Sequence, residues 1–111
     1  MDEKVINVAM QIILNAGNAR NNVMSAMSAE MSGDKKKANE LLDAAKECVK
    51  KAHLQQTEAI QEEARGNKME IGLLFIHAQD TLMTIASEVN MIEQMIKMNR
   101  RLEEKINENS K

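Results

Sequence analysis

Leu73-Leu74-Phe75-Ile76-His77-Ala78-Gln79-Asp80-Thr81-Leu82-Met83-Thr84 sets a histidine and an aspartate three residues apart in an otherwise oily run. Residues i and i+3 are neighbours on a helix surface. A polar or charged group among Leu, Ile, Phe and Met is costly to bury without a partner. Stepped at about 100° per residue, Ile71, Leu74, Ala78, Leu82, Ile85, Val89, Ile92 and Ile96 fall in one arc of about 80°. Leu73, Ile76, Asp80, Met83, Ser87 and Met91 fall in a second arc, nearly opposite. The first arc is a core stripe. The second cannot also be buried in a three-helix monomer, so it predicts self-association through this helix.

Outward from this segment the chain reads as all-α. The 111 residues make one domain over 1–111 and bury roughly two-thirds of their unfolded surface. With no Pro, Trp or Tyr, one Phe and ten Met, the core must be aliphatic, from residues that are mostly good helix formers. Val5, Ala9, Ile12, Ala16, Ala19, Val23 and Met27 recur at helical spacing and predict a first helix from about Glu3 to Met31. Gly17 costs about 1 kcal/mol against Ala inside that helix and is expected to mark close packing against another helix. Ser32-Gly33-Asp34 ends it, with Asp34 placed to cap the next. The second helix is expected over Asp34–Ala64, with a stripe from Ala38 through Leu41, Leu42, Ala45, Cys48, Val49 and Ala52 to Gln56, Ala59 and Ile60. Arg65-Gly66-Asn67 is the second break, and the third helix is expected over Lys68–Asn107. Its charged last turns, Arg100 to Lys111, are expected to fray or project. Short connections make the helices antiparallel neighbours.

The formal charge of −2, with both signs interspersed, argues against nucleic acid and against a basic membrane-surface helix. Lys35-Lys36-Lys37 is followed at once by Glu40, Asp43 and Glu47 and reads as a solvated face. No apolar run approaches the ~20 residues of a membrane span, and no signal-peptide pattern follows Met1, so a cytoplasmic location is expected. Cys48, the lone cysteine, is expected to be a small buried hydrophobe.

Asp80, at the centre of the second stripe, must be protonated, paired with a Lys or Arg, or metal-bound. Identical helices meeting around an axis would bring several copies of it together, and oxygen ligands suit Mg2+ or Ca2+. His77 lies between the stripes, either as a structural histidine at an interface rim or as a reactive imidazole. The ten Met residues are scattered at helical spacing and read as gap-filling residues rather than soft-metal ligands.

His77-Ala78-Gln79-Asp80 with Leu82-Met83-Thr84 resembles the signature of the enzyme IIA components of the lactose/cellobiose (chitobiose) sugar phosphotransferase system. Gln11-Ile12-Ile13-Leu14-Asn15-Ala16-Gly17-Asn18-Ala19-Arg20 resembles the family's first-helix pattern. Ala52-His53-Leu54-Gln55-Gln56-Thr57 resembles its second-helix pattern, and together with Glu62-Glu63-Ala64-Arg65-Gly66 these stretches cover most of the chain in the family's order. The resemblance implies a three-helix bundle assembled as a homotrimer. It implies that His77 accepts a phosphoryl group on Nε2 from HPr and passes it to a cysteine of enzyme IIB during disaccharide uptake. It implies that Asp80 of three subunits shares a divalent cation, Mg2+, on the trimer axis. Gln79 and His53 are possible supporting residues, Gln79 acting across a subunit interface. Thr81 stands where many members have a second histidine, and Ala78 where lactose-specific members tend to have Gly. The second departure favours a cellobiose, chitobiose or β-glucoside branch. The alternative is a helical adaptor whose second stripe docks a partner helix and whose His77 is structural.

Overall fold

The computed structural model describes residues 3–66 and 72–110. Three helices carry all the regular structure among them: α1 (Glu3–Met31), α2 (Lys35–Ala64) and α3 (Leu73–Asn109). They form a rod of 65 × 20 × 19 Å, in which α3 packs more extensively on α1 than on α2.

Gly33 closes α1 at φ 88°, a left-handed conformation that costs glycine little. The amide of Asp34 donates to the Ala29 carbonyl at 2.9 Å and that of Gly33 to Glu30 at 3.1 Å, so the last carbonyls of α1 are satisfied. The Asp34 carboxylate then accepts from the Lys37 amide at 3.2 Å and caps α2. The expected start of α2 is thus met, with Asp34 as its cap. Asp34→Ala should lower the unfolding free energy by about 1 kcal/mol in urea titrations. An unshifted midpoint would mean the cap contributes nothing.

The expected start of α3 at Lys68 lies outside the described residues. Gly72 is extended, at φ −102° and ψ 178°, and α3 begins at Leu73, later than a continuous helix from Lys68 requires.

The core matches the helical phase in most places. Val5, Ala9, Ile12, Ala16, Ala19 and Val23 of α1 are fully buried, with Ala38, Ala45 and Ala52 of α2 and Ala78, Leu82, Ile85, Val89 and Ile96 of α3 also inside. Phe75, outside both predicted stripes, is buried at 3% exposure, whereas Leu74 is only half-buried. The alanines Ala9, Ala52 and Ala59 share its cluster and leave room for the ring. Ile60 is exposed rather than core, and Cys48 is half-buried, with the Asn22 amide 3.9 Å from its sulfur. Gly17 is half-buried, but the close helix packing expected of it is not met among the described residues, where a Cβ there would meet no atom within 4 Å.

Glu30 is the buried charge that the apolar pattern does not announce, at 1% exposure. Arg100 holds it through Nε at 3.1 Å and Nη2 at 2.8 Å, and Asn99 donates at 2.8 Å. Arg100 also reaches the Lys35 carbonyl at 3.4 Å, and Lys35 pairs with Glu103 at 2.7 Å. The hydrogen bonds from Arg100 hold the Glu30 carboxyl below the ordinary carboxylate range, against the opposing effect of burial. The charged end of α3 therefore does not fray at Arg100. It is clamped to the α1–α2 turn, stays helical to Asn109, and projects only past the clamp.

Candidate functional site

His77 sits in the second turn of α3 and is exposed. Asp80, one turn on, is exposed as well. Among the described residues neither side chain makes a hydrogen bond or ion pair within the chain, so Asp80 has no Lys or Arg partner there. Both line an open depression of about 570 Å³ with Leu73, Leu74 and Ile76. The second stripe is uncovered: Leu73 is 82% exposed, Met83 64% and Met91 59%.

The flank on which His77 lies follows from an ion pair. Glu88 is eleven residues beyond His77, three helical turns to within about 20°. Glu88 accepts from Arg20 of α1, at 3.0 Å from Nε to Oε2. Hydrogen bonding from Arg20 keeps the Glu88 carboxyl below its ordinary range and raises the guanidinium above its own. His77 therefore faces the α1 side of α3, on the flank away from α2. Glu93, by contrast, pairs with Lys46 of α2.

That asymmetry separates the supporting candidates from His77. His53 is exposed on α2 and lies seven residues from Lys46, on the same face, which borders α3 at Glu93. It is on the opposite flank from His77. Gln79 is half-buried and points about 200° around α3 from His77, toward α2. The fold brings His77 and Asp80 together and brings neither His53 nor Gln79 to them. The Arg20–Glu88 pair on the His77 flank did not stand out in the sequence, although Arg20 closes the first-helix pattern.

For a divalent ion, one chain is insufficient. Among the described residues no three His, Cys, Asp or Glu side chains cluster as ligands. Asp80 offers one carboxylate, exposed among apolar neighbours and without a cationic partner among the described residues. It fits an oxygen donor set only when several copies converge.

Comparisons with known proteins agree with this arrangement of helices. The family model described as "PTS system, Lactose/Cellobiose specific IIA subunit" matches residues 7–100. The lichenan-specific phosphotransferase enzyme IIA component of Bacillus subtilis is 41% identical over 94% of this chain and 94% of its own. The lactose-specific EIIA component of Lacticaseibacillus casei is 36% identical over 92% and 91%. The crystal structure of the cellobiose-specific enzyme IIA from Bacillus anthracis superposes with a TM-score of 0.86 at 41% identity, covering 95% of this chain and 96% of that one. A solution structure of the Escherichia coli IIA(Chitobiose)–HPr complex contains a chain with a TM-score of 0.79 at 31% identity, covering 92% and 99%. No described helix is long and apolar enough to cross a membrane. The chain belongs to the lactose/cellobiose-specific IIA subunit family of the sugar phosphotransferase system.

Proposed function

We propose that this protein is a cytoplasmic phosphocarrier in which His77 receives a phosphoryl group from HPr and hands it to a cysteine of an enzyme IIB. The observation that carries the reading is the exposed, unpartnered imidazole of His77, set one turn from Asp80 in an open apolar depression. Imidazole can act as a nucleophile near neutral pH without full deprotonation by another base. In the first step the Nε2 lone pair attacks phosphorus, an N–P bond forms and the bond to the donor breaks. In the second the IIB thiolate attacks phosphorus, an S–P bond forms and the imidazole leaves. The site needs no sugar pocket. It needs a shallow surface that docks two proteins in turn, and Ile76 and Met83 supply adaptable apolar contacts.

The assembly in this reading is a homotrimer with Asp80 at the axis. Leu73, Ile76, Met83 and Met91 then pack between copies, and the Asp80 carboxylates share a divalent cation, Mg2+, which would offset their mutual repulsion. His77 is about 60° around α3 from Asp80, toward α1. It therefore falls at the floor of a groove between its own α1 and the next copy's α3. The relatives named for lichenan and cellobiose are the more similar ones reported above, and with Ala78 they support a cellobiose or other β-glucoside as the imported sugar.

Incubation with phosphoenolpyruvate, enzyme I and HPr, followed by intact mass at neutral to basic pH, tests the carrier role. Wild type should gain one phosphate and His77→Ala none. No gain on wild type, with upstream proteins active on another acceptor, would favour the helical-adaptor reading instead.

A further inference from the structure

We propose that Gly17 is a contact point for HPr, a place on α1 where the donor's surface approaches the helix backbone; the inference rests on the phosphocarrier reading. Among the described residues neither backbone geometry nor packing requires a glycine at position 17. Its φ is not positive, so the backbone there does not require glycine. A Cβ at this position would meet nothing within 4 Å, so packing does not require it either. A glycine inside a 29-residue helix weakens that helix, and nothing among the described residues offsets the loss.

Its surroundings are those of a contact surface. Met10 and Met24 stand seven residues to either side and share its face, at 50% and 54% exposure. Arg20, three residues on, reaches across to Glu88 and fixes which side this is. It is the side of His77. Because α1 and α3 run parallel and Arg20 is level with Glu88, Gly17 lies about 12 Å along the bundle from His77.

That distance decides the occupant. A protein that delivers phosphorus to His77 covers roughly 800 Å² of this surface, a patch on the order of 30 Å across. Gly17 lies on the neighbouring helix, so with about 9 Å between helix axes it is about 15 Å from His77, and a patch centred on His77 reaches it at its edge. The exposed seam of α3 is assigned to other copies of this chain through Asp80, on the far side of His77 from Gly17. The α1 face remains open to HPr, and Gly17 lowers that face between two adaptable methionines.

The test is Gly17→Ala. Its unfolding temperature should rise by about 4 °C, because the helix gains propensity and nothing clashes. In phosphoryl transfer from phospho-HPr its KM for HPr should rise at least about fivefold with kcat little changed. Its sedimentation should match wild type. An unchanged KM in an assay where wild type is active overturns the proposal alone. Altered sedimentation with an unchanged KM overturns it in favour of a second copy as the occupant. A wild type that takes up no phosphoryl group overturns the carrier reading and this proposal together.

Discussion

Arg100→Ala should destabilise the fold by about 3 kcal/mol, visible as a fall of roughly 10 °C in unfolding temperature. The cost lies in what the substitution leaves behind. Glu30 has no exposed side-chain surface, whereas Arg100 is partly open to solvent. Removing the guanidinium strands a carboxylate inside the bundle with only Asn99 to donate. Glu30→Gln should cost less, because Arg100 can turn toward water. Equal losses from the two variants would contradict the assignment of Glu30 as the buried member.

The pH dependence of the two proteins should have opposite slopes from Glu30. In wild type the folded carboxyl sits below its unfolded value. Its stabilisation is full above the unfolded pKa, about 4.3, and is lost as pH falls through the folded pKa. Glu88, lowered by Arg20, acts in the same direction. In Arg100→Ala burial becomes the largest remaining influence on Glu30, ahead of the Asn99 hydrogen bond and the Lys35 charge, and its folded pKa rises. The folded state then binds the proton more readily than the unfolded one, so the loss of stability deepens as pH rises from 5 to 7. Between pH 5 and 7 Glu30 should leave the wild-type urea midpoint level while that of Arg100→Ala falls; the wild-type slope should show only below about pH 4.3.

Met83→Lys should dissociate the proposed trimer, and Asp80→Leu should not. Met83 is exposed in one chain and lies on the same stripe as Asp80. In a symmetric seam the substitution brings several ammonium groups into an apolar layer, which costs several kcal/mol per buried ion. Sedimentation should report a monomer. Asp80→Leu replaces converging carboxylates with apolar side chains, an exchange that is neutral or stabilising when the volume fits. Under the proposed shared cation, wild type should loosen on addition of a chelator, while Asp80→Leu should remain assembled with or without it. Wild-type assembly unaffected by chelator would remove the shared-cation role from Asp80. Assembly of Met83→Lys at wild-type strength would remove the α3 seam.

The parts of this protein governed by helical period were readable in the sequence. The two opposed stripes of α3 are in the spacing, and the structure leaves Leu73, Ile76, Met83 and Met91 uncovered as that spacing requires. The α1–α2 turn was readable because Gly33 and Asp34 carry local chemistry. Glu30 escaped because its partner, Arg100, lies 70 residues away in a run of charges that reads as a solvated tail. Its position was still a signal, since 30 continues the core phase of 19, 23 and 26. The His77 box was legible as a pattern, but its surroundings were not. Which flank His77 takes depends on where α1 and α2 sit, and only the Arg20–Glu88 and Lys46–Glu93 pairs fix that. The same pairs place His53 and Gln79 on the other side.

The most direct measurement is 31P–15N coupling by NMR on the 15N-labelled protein after phosphorylation through HPr. Coupling between phosphorus and Nε2 of His77 is the expected result, with both nitrogens of His53 unchanged. Phosphorus coupled to His53, or to Nδ1 of His77, would contradict the assignment of His77 Nε2 as the atom that carries the phosphoryl group.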